Sequence, residues 1–415
     1  MRIIHTADWH IGQTLAGFTR ENEHRAALAE LVSIAAARSV DAVIIAGDIF
    51  DHQNPSGEAQ RLYFETIVAL KRACPRMTIV VTAGNHDAAG RLEAPAELLR
   101  SLDVHVVGNV RRVAGRIDAA HHLVNLRGAT GTIEARVLAV SYPTAACLPP
   151  FGSIADSEGH SSTVEATRAL YDELMRETGA DRDGAPLIVT GHLHVLGAME
   201  SEGAERRILV GGQHAVPVSI FPEQARYVAL GHLHKPQSIG RATVRYSGSL
   251  FPLSATELGY RHGVTLVTLD GGRVEVEEIP ISRPVAFLRV PGSGDIGLDE
   301  LPDRLAALGL ASDLALDQRP FLQIHLSRNG LPPGHRELVD RIAAKFPVRV
   351  AGIAVTPSQQ SDVRDEAGNE TIRLADLQPE HIFELAFAQA FGGREPNDEH
   401  RAAFHQALAA VAAEA

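Results

Sequence analysis

Only two cysteines, Cys74 and Cys147, occur among the 415 residues. Two thiols cannot build a disulfide framework or the paired thiolates of a zinc ribbon, so any metal must be held by other ligands. A reducing cytoplasm fits that scarcity. No window approaches the roughly 18 uninterrupted apolar residues of a helical membrane span. The opening MRIIHTADWH also lacks the basic stretch and apolar core of a secretory leader. The expectation is a soluble cytoplasmic protein with no membrane association. No solenoid-type repeat is present. Bases are in deficit, 39 Lys and Arg against 51 Asp and Glu for a net charge of −12. That balance argues against a chain that grips nucleic acid by bulk charge, because phosphate neutralisation by Lys and Arg supplies most non-specific binding. What is present is a globular composition, 45% hydrophobic and 22% charged, with length for two to three domains.

From Met1 to about Gly231, strand-length apolar runs alternate with segments of helical period, which predicts a layered α/β domain. Leu28, Leu31, Val32 and Ala35 form a helical stripe, and Ala42 to Ala46 reads as the buried strand after it. Gln60 to Arg72 repeats the stripe before a strand at Met77 to Thr82. Phe151 to Ser162 is polar and reads as a surface loop. Further strands are expected at Leu187–Thr190, Tyr227–Leu230, Thr243–Tyr246, Val264–Leu269 and Val274–Glu278, the last two joined by the hairpin signal Asp270-Gly271-Gly272. Proline brackets a junction near Ile281 to Pro284, after which a βαβαβ rhythm begins: strands Phe287–Val290, Phe321–Leu326 and Val348–Val355, helices Leu301–Leu308 and Glu337–Lys345. Thr356 to Asp376 reads as an exposed connection. Two short helical segments follow, the first opened near Pro379 and stopped by Gly392, the second opened by Pro396, Asn397 and Asp398.

Five apolar runs end in turns bearing metal-type ligands: Asp8 and His10; Asp48; Asn85, His86 and Asp87; His192 and His194; His232 and His234. In α/β sheets the crevice beyond the strands' carboxyl ends is where ligands bind. Glycines at 47, 84, 191 and 231 precede four of these turns and allow a sharp bend or close approach. Asp8 and His10, two apart, would project from one face of an extended segment. Singly, such pieces are common in surface turns. Together, two carboxylates, an amide oxygen and several imidazoles, with no thiolate competing, suit divalent metals of intermediate hardness.

DWH, GDIFD, GNHD, GHLH and GHLH resemble the five motifs of the calcineurin-like metallophosphoesterases. The stretches VPVSIFPEQARYVALGHLHKPQ and YSGSLFPLS, with the acidic helical C-terminus, resemble most closely the SbcD subfamily, the nuclease subunits of bacterial SbcCD complexes. The resemblance implies a layered phosphoesterase sandwich over residues 1–282, a small α/β capping domain over 283–357 and an acidic linker with C-terminal helices over 358–415. It implies one metal on Asp8, His10, Asp48 and His234 and a second on Asp48, Asn85, His192 and His232. His86 would face the scissile phosphate, where a protonated imidazole could stabilise developing charge or protonate the leaving oxygen. Manganese is the implied ion, while the ligand set also admits Mg, Fe or Zn.

The implied function is a DNA exonuclease and endonuclease, with hairpin cleavage, in DNA repair, recombination and replication. The alternative on the same fold is a stand-alone metallophosphatase or small-molecule phosphodiesterase. The C-terminal helices would dock on the SbcC ATPase, their other option being to pack on the small domain or on each other. A homodimer within a heterotetramer is implied, through Gln60–Arg72 and Ala94–Leu102. The acid excess divides accordingly: residues from Thr356 onward carry −7 and the preceding 355 only −5. Two divalent ions against Asp8 and Asp48 would leave the filled site locally positive. The neighbours of the motifs have simpler expectations. His194 reads as surface or supporting, Asp87 as orienting its loop, and Asp51 and His52 as substrate contacts or exposed turn. His5 reads as a core histidine, and Arg20 and Lys235 as phosphate contacts or solvated surface.

Overall fold

The computed structural model describes residues 1–128, 130–148, 159–182, 184–201 and 215–356. In the C-terminal segment it also describes Phe383, Phe387, Pro396, Asn397, His400, Arg401 and Phe404. Contacts divide the chain into two compact units, Met1–Thr356 and Pro357–Ala415.

The first unit is built on two six-stranded sheets. In one, Arg2–Thr6, Ala42–Ala46, Thr78–Thr82 and Val104–Val107 run parallel, and the hairpin Gly263–Asp270/Arg273–Pro280 adds antiparallel strands beside Arg2–Thr6. Asp270 pairs with Arg273 across Gly271 (φ 53°) and Gly272 (φ 88°). Two successive positive φ values make the tight turn whose twist matches a hairpin, which is why the Asp-Gly-Gly signal was legible. In the other sheet, Ile133–Leu138, Leu187–His192, Ala225–Gly231 and Arg241–Tyr246 run parallel, with Leu123–Arg127 and Gln237–Ile239 as antiparallel edges.

Both faces of each sheet are covered, so the central strands read as continuous apolar runs. Ile3, Ile44 and Val80 from the first sheet share a core with Val137, Ile188 and Ala229 from the second. On the opposite face of the first sheet, Ile4, Val43 and Ile79 pack with Leu28 and Leu31 of helix Glu21–Ala37 and Leu62, Ile67 and Leu70 of helix Gly57–Ala73. Leu170, Tyr171 and Leu174 of helix Gly159–Thr178 cover the second sheet. The order is helix, sheet, sheet, helix. Each fully buried Val, Leu or Ile contributes about 1.5–3 kcal/mol, so this double-faced burial dominates the local energetics. Helix Gly159–Thr178 begins inside the stretch read as a loop; the other positions of that loop, 151–158, lie outside the described residues.

A separate three-stranded parallel sheet, Phe287–Val290, Phe321–Ser327 and Arg349–Thr356, follows the βαβαβ order. Leu322, Ile324 and Leu326 point to Leu301, Leu305 and Val339 of its helices Leu301–Ala306 and His335–Ala343. Phe321 is turned the other way, and two guanidinium groups lie over its ring, Arg349 at 3.7 Å and Arg20 at 5.4 Å. Arg20 is neither a solvated surface residue nor a phosphate contact: it is 2% exposed. It donates to both carboxylate oxygens of Glu23 (2.6 and 3.0 Å), to Gln13 and to the Pro252 carbonyl. A buried guanidinium is tolerable only when so fully paired. Among the described residues no helix is long and apolar enough to cross a membrane.

In the second unit, Asn397 Oδ1 accepts the His400 amide at 3.0 Å, the geometry that opens a helix, as its sequence position predicts. Phe383 stacks on Phe404 at 4.5 Å with ring planes 11° apart, and Phe387 meets His400 at 4.7 Å. The two segments therefore pack on each other. The expected connection at 356–376 lies, beyond its first residue, outside the described residues.

Candidate metal centre

The carboxyl ends of strands from both sheets supply the site. After Thr6 the chain bends through Asp8 (φ 53°) and His10 (φ 47°) instead of remaining extended. Their side chains still converge with His234, but through two left-handed residues and not through strand alternation. Asp48 (φ 51°) and His232 (φ 101°) are also left-handed. Each such residue costs of order 1–3 kcal/mol and persists only where its surroundings hold it. Here Asp8 N–H donates to the Gly47 carbonyl and His10 N–H to the Asp48 carbonyl, both at 3.0 Å. Buried Trp9 between them donates to Thr6 Oγ1, and its carbonyl accepts His24 Nε2–H.

Asp48 stands at the centre. Its Oδ1 accepts the His86 amide at 2.8 Å, and its Oδ2 lies 3.2 Å from His192 Nε2 and 3.6 Å from His10 Nε2. Space for this carboxylate exists because residue 84 is glycine: a Cβ there would fall 2.1 Å from Asp48 Oδ1. A Cβ at Gly231 would fall 2.0 Å from the Ala46 carbonyl oxygen. Asp87 accepts the amides of Gly84, Ile49 and Phe50 at 2.8–3.2 Å and so sews its loop to the Asp48 loop. His86 is half-buried, and its Nδ1–H donates to the Asp51 carbonyl at 2.8 Å.

From the second sheet, His192 donates Nδ1–H to the Ala46 carbonyl at 2.8 Å and turns Nε2 toward Asn85 Oδ1 at 3.0 Å. His232 donates its amide to Asp8 Oδ1, and its Nδ1 lies 3.2 Å from the same Asn85 oxygen. His234 Nδ1–H donates to Glu257 Oε1 at 2.8 Å, and His10 Nδ1–H to Asp51 Oδ1 at 3.2 Å.

Three groups of donor atoms result, each within 4.8 Å: Asp8, His10 and His234; His10, Asp48 and His86; Asp48, His192 and His232. Asp8 Oδ2 and His10 Nε2 are buried without a hydrogen-bond partner, which a cation between them would supply. Burial pushes the Asp8 carboxyl up to about 6. Burial acts the same way on Asp48, but His192, His10 and His86 outweigh it and hold Asp48 well below the usual carboxylate range. Burial opposes charge on His192 too, yet Asp48 and Asp8 raise it to about 9, whereas burial and the His192 charge push His232 well down. A metal-binding imidazole must be neutral, so a divalent cation bound here would compete with protons for His192. The donor set, carboxylate, amide oxygen and imidazole, fits Mn, Fe or Zn.

All seven expected ligand positions and His86 are therefore brought together. His194 joins none of the groups; it pairs with Glu200 at 2.8 Å. His52 is 61% exposed and meets Asp51. Lys235 is half-buried, donates to Met199 Sδ and lies 5.5 Å from the Tyr260 ring centroid. His5 is a core histidine bonded to the Tyr227 hydroxyl, and burial lowers it to about 3. Two carboxylates behind the imidazoles, Glu257 and Asp51, were not assigned that role from sequence. The available signal was an acid just beyond the YSGSLFPLS stretch and another three residues past Asp48.

Residues 1–236 match the family described as calcineurin-like phosphoesterase. Residues 283–391 match the type 5 capsule protein repressor C-terminal domain. The chain is 46% identical over 387 residues to the SbcD subunit of the SbcCD nuclease of Rhodobacter capsulatus, covering 93% of this chain and 94% of that one. It is 32% identical to the SbcD subunits from Bacillus subtilis, over 96% of this chain and 95% of the other, and Escherichia coli, over 94% and 93%. With ligand-bearing strand ends assembled on two sheets and likeness running over nearly the whole chain, the protein belongs to the SbcD family of calcineurin-like phosphoesterases, the nuclease subunits of SbcCD complexes.

Proposed function

We propose that the site holds two divalent ions that share Asp48, one completed by Asp8, His10 and His234 and the other by Asn85, His192 and His232, and that manganese is the working ion. The observation that carries this reading is the Asp48 carboxylate, whose Oδ2 lies 3.2 Å from His192 Nε2 and 3.6 Å from His10 Nε2, so that one oxygen is within reach of a donor from each group. The protein is a metal-dependent phosphodiester hydrolase, the nuclease subunit of an SbcCD complex. When bound, the ions activate water and stabilise the entering and leaving oxygens of an in-line displacement. The chain's own groups do the rest. Asp48 and Asp8 fix the charge, the left-handed turns aim the imidazoles, and Asp87 holds the two central loops in register. His86, with Nδ1–H committed to the Asp51 carbonyl, presents Nε2 to the phosphate, where in its protonated form it stabilises charge or supplies the leaving group's proton.

The chain divides functionally into 1–282 for chemistry, 283–357 as a cap and 358–415 as a linker with docking helices. The acidic C-terminal segment, whose helices meet through Phe383 and Phe404, docks on the SbcC ATPase by its remaining apolar positions. Exposed Leu98 and Leu102, with Val68 on helix Gly57–Ala73, support a homodimer contact. The substrate is DNA, including hairpins, in the cytoplasm. The test is manganese-dependent cleavage of single-stranded and hairpin DNA, with and without SbcC, alongside p-nitrophenyl phosphate. Single strands should be cut by the subunit alone, and double-stranded ends only with SbcC and ATP. Turnover of the phosphomonoester with no DNA cleavage would point to a phosphatase. Complex formation with SbcC that survives deletion of residues 378–415 would refute the docking assignment.

A further inference from the structure

The YSGSLFPLS stretch and the acid that follows it lie beside the second motif histidine, and their geometry has a purpose the ligand set does not explain. The amide of Ser249 donates to the His234 carbonyl at 3.1 Å. The chain then turns so that Glu257, fully buried at 0% exposure, reaches the His234 ring. Glu257 also accepts the Leu253 amide at 2.8 Å and the Ser254 hydroxyl at 3.2 Å, so its carboxylate is locked before any ion binds. His10, on the same side of the centre, has its own carboxylate, Asp51.

The opposite side is built differently. His192 is backed by a neutral carbonyl, that of Ala46, and both His192 and His232 face the neutral amide oxygen of Asn85. Asp87, the other buried acid nearby, spends its oxygens on backbone amides. Apart from the shared Asp48, one position therefore has three carboxylates, Asp8 directly and Asp51 and Glu257 behind its imidazoles; at the other, no carboxylate among the described residues bonds to the far side of an imidazole, and Asp8 meets it only through the His232 backbone amide.

A carboxylate accepting the far N–H of an imidazole fixes its tautomer and makes it a more basic ligand, and removing such a partner typically costs 10–100-fold in metal affinity. We infer that Glu257, with Asp51, makes the two ion positions unequal, so that the Asp8/His10/His234 position is the tighter and fills first. Glu257 is a positioning residue, acting through His234. At limiting divalent ion the protein carries one resident ion, and filling of the Asn85/His192/His232 position switches cleavage on. This inference rests on the two-ion reading above.

Manganese titration of the intact subunit, followed by calorimetry and electron paramagnetic resonance, tests it. Two binding classes at least about 10-fold apart are expected, consistent with the effect of such partners. The spectrum of an isolated ion should appear at one equivalent and an exchange-coupled pair only beyond it. Glu257→Gln, which keeps the shape and an acceptor, should weaken the tight class about 10–100-fold and leave the weak class unchanged. Asp51→Asn, at a side chain 17% exposed, should act in the same direction even if the buried variant fails to fold. Asn85→Ala should weaken only the loose class. Equal affinities in the wild-type protein, or carboxamide variants that leave the tight class intact, would overturn the asymmetry while leaving the two-ion reading standing. No manganese uptake at all would overturn both.

Discussion

Gly84→Ala is the smallest change that should disable the centre. Gly84 is outside the left-handed region, so alanine meets no backbone penalty there. The obstacle is contact alone. The added Cβ falls 2.1 Å from Asp48 Oδ1 and 2.3 Å from the Asp48 amide nitrogen, where ordinary contact begins near 3.4 Å. One of these atoms belongs to the backbone, so a rotamer change cannot relieve the clash, and the Asp48 loop must move by about 1 Å or more. Overpacking of this kind costs about 1–3 kcal/mol, which a folded domain survives. A displacement of about 1 Å at a positioned group costs on the order of 10²-fold in rate. The variant should therefore melt cooperatively with a modestly lowered midpoint, yet lose at least about 100-fold in manganese-dependent cleavage of single-stranded DNA and bind manganese weakly. Gly90→Ala is the control, because a Cβ there meets nothing within 4 Å. A folded Gly84→Ala protein with wild-type cleavage would refute the packing argument for the Asp48 carboxylate.

His86→Leu should abolish DNA cleavage while calorimetry finds both manganese ions still bound; retained cleavage would remove His86 from the chemistry. Arg20→Met strands buried Glu23 and should cost about 3–5 kcal/mol in urea denaturation, most of it recovered in the double variant Arg20→Met/Glu23→Leu. If the single variant is neutral, Glu23 does not depend on Arg20 for its pairing. His5 and His122 are lowered by burial to about 3 and about 4. The unfolded chain takes up these protons first, so stability should fall as pH drops below about 6.5, by about 1.4 kcal/mol per pH unit for each group, and level off below the folded values. His5→Gln should flatten the urea-denaturation profile between about pH 6.5 and 4 by about one proton's slope. An unchanged slope would contradict the buried, neutral state of His5.

The site's location was legible because short-range signals specify it: a β-rich run and a ligand at each strand end, with a glycine before four of the five. Strand Ala42–Ala46 is legible to its ends because both sheet faces are buried and the apolar run ends with the strand. Edge strand Leu123–Arg127 alternates burial with exposed Asn125 and Arg127, which weakens any continuous apolar signal, and it was not named. Helix Gly159–Thr178 opens with Gly, His and two Ser, poor helix formers that read as loop until Leu170, Tyr171 and Leu174 are seen packing on the second sheet. The left-handed turns at Asp8 and His10 were invisible because they are imposed by hydrogen bonds to the Asp48 loop, about 40 residues away. Glu257 and Arg20 share that difficulty. One supports a histidine 23 positions earlier, and the other stacks on Phe321 from a separate sheet.

Asp48→Asn separates a paired-ion nuclease centre built on one shared carboxylate from any arrangement in which Asp48 is dispensable. Manganese stoichiometry and single-stranded DNA cleavage should be measured on the same preparation of the wild-type and variant subunits. The wild-type protein should bind two ions and cleave, and a folded Asp48→Asn variant should lose coupled manganese together with cleavage. A variant that keeps both the coupled ion pair and DNA cleavage would contradict the shared-carboxylate centre.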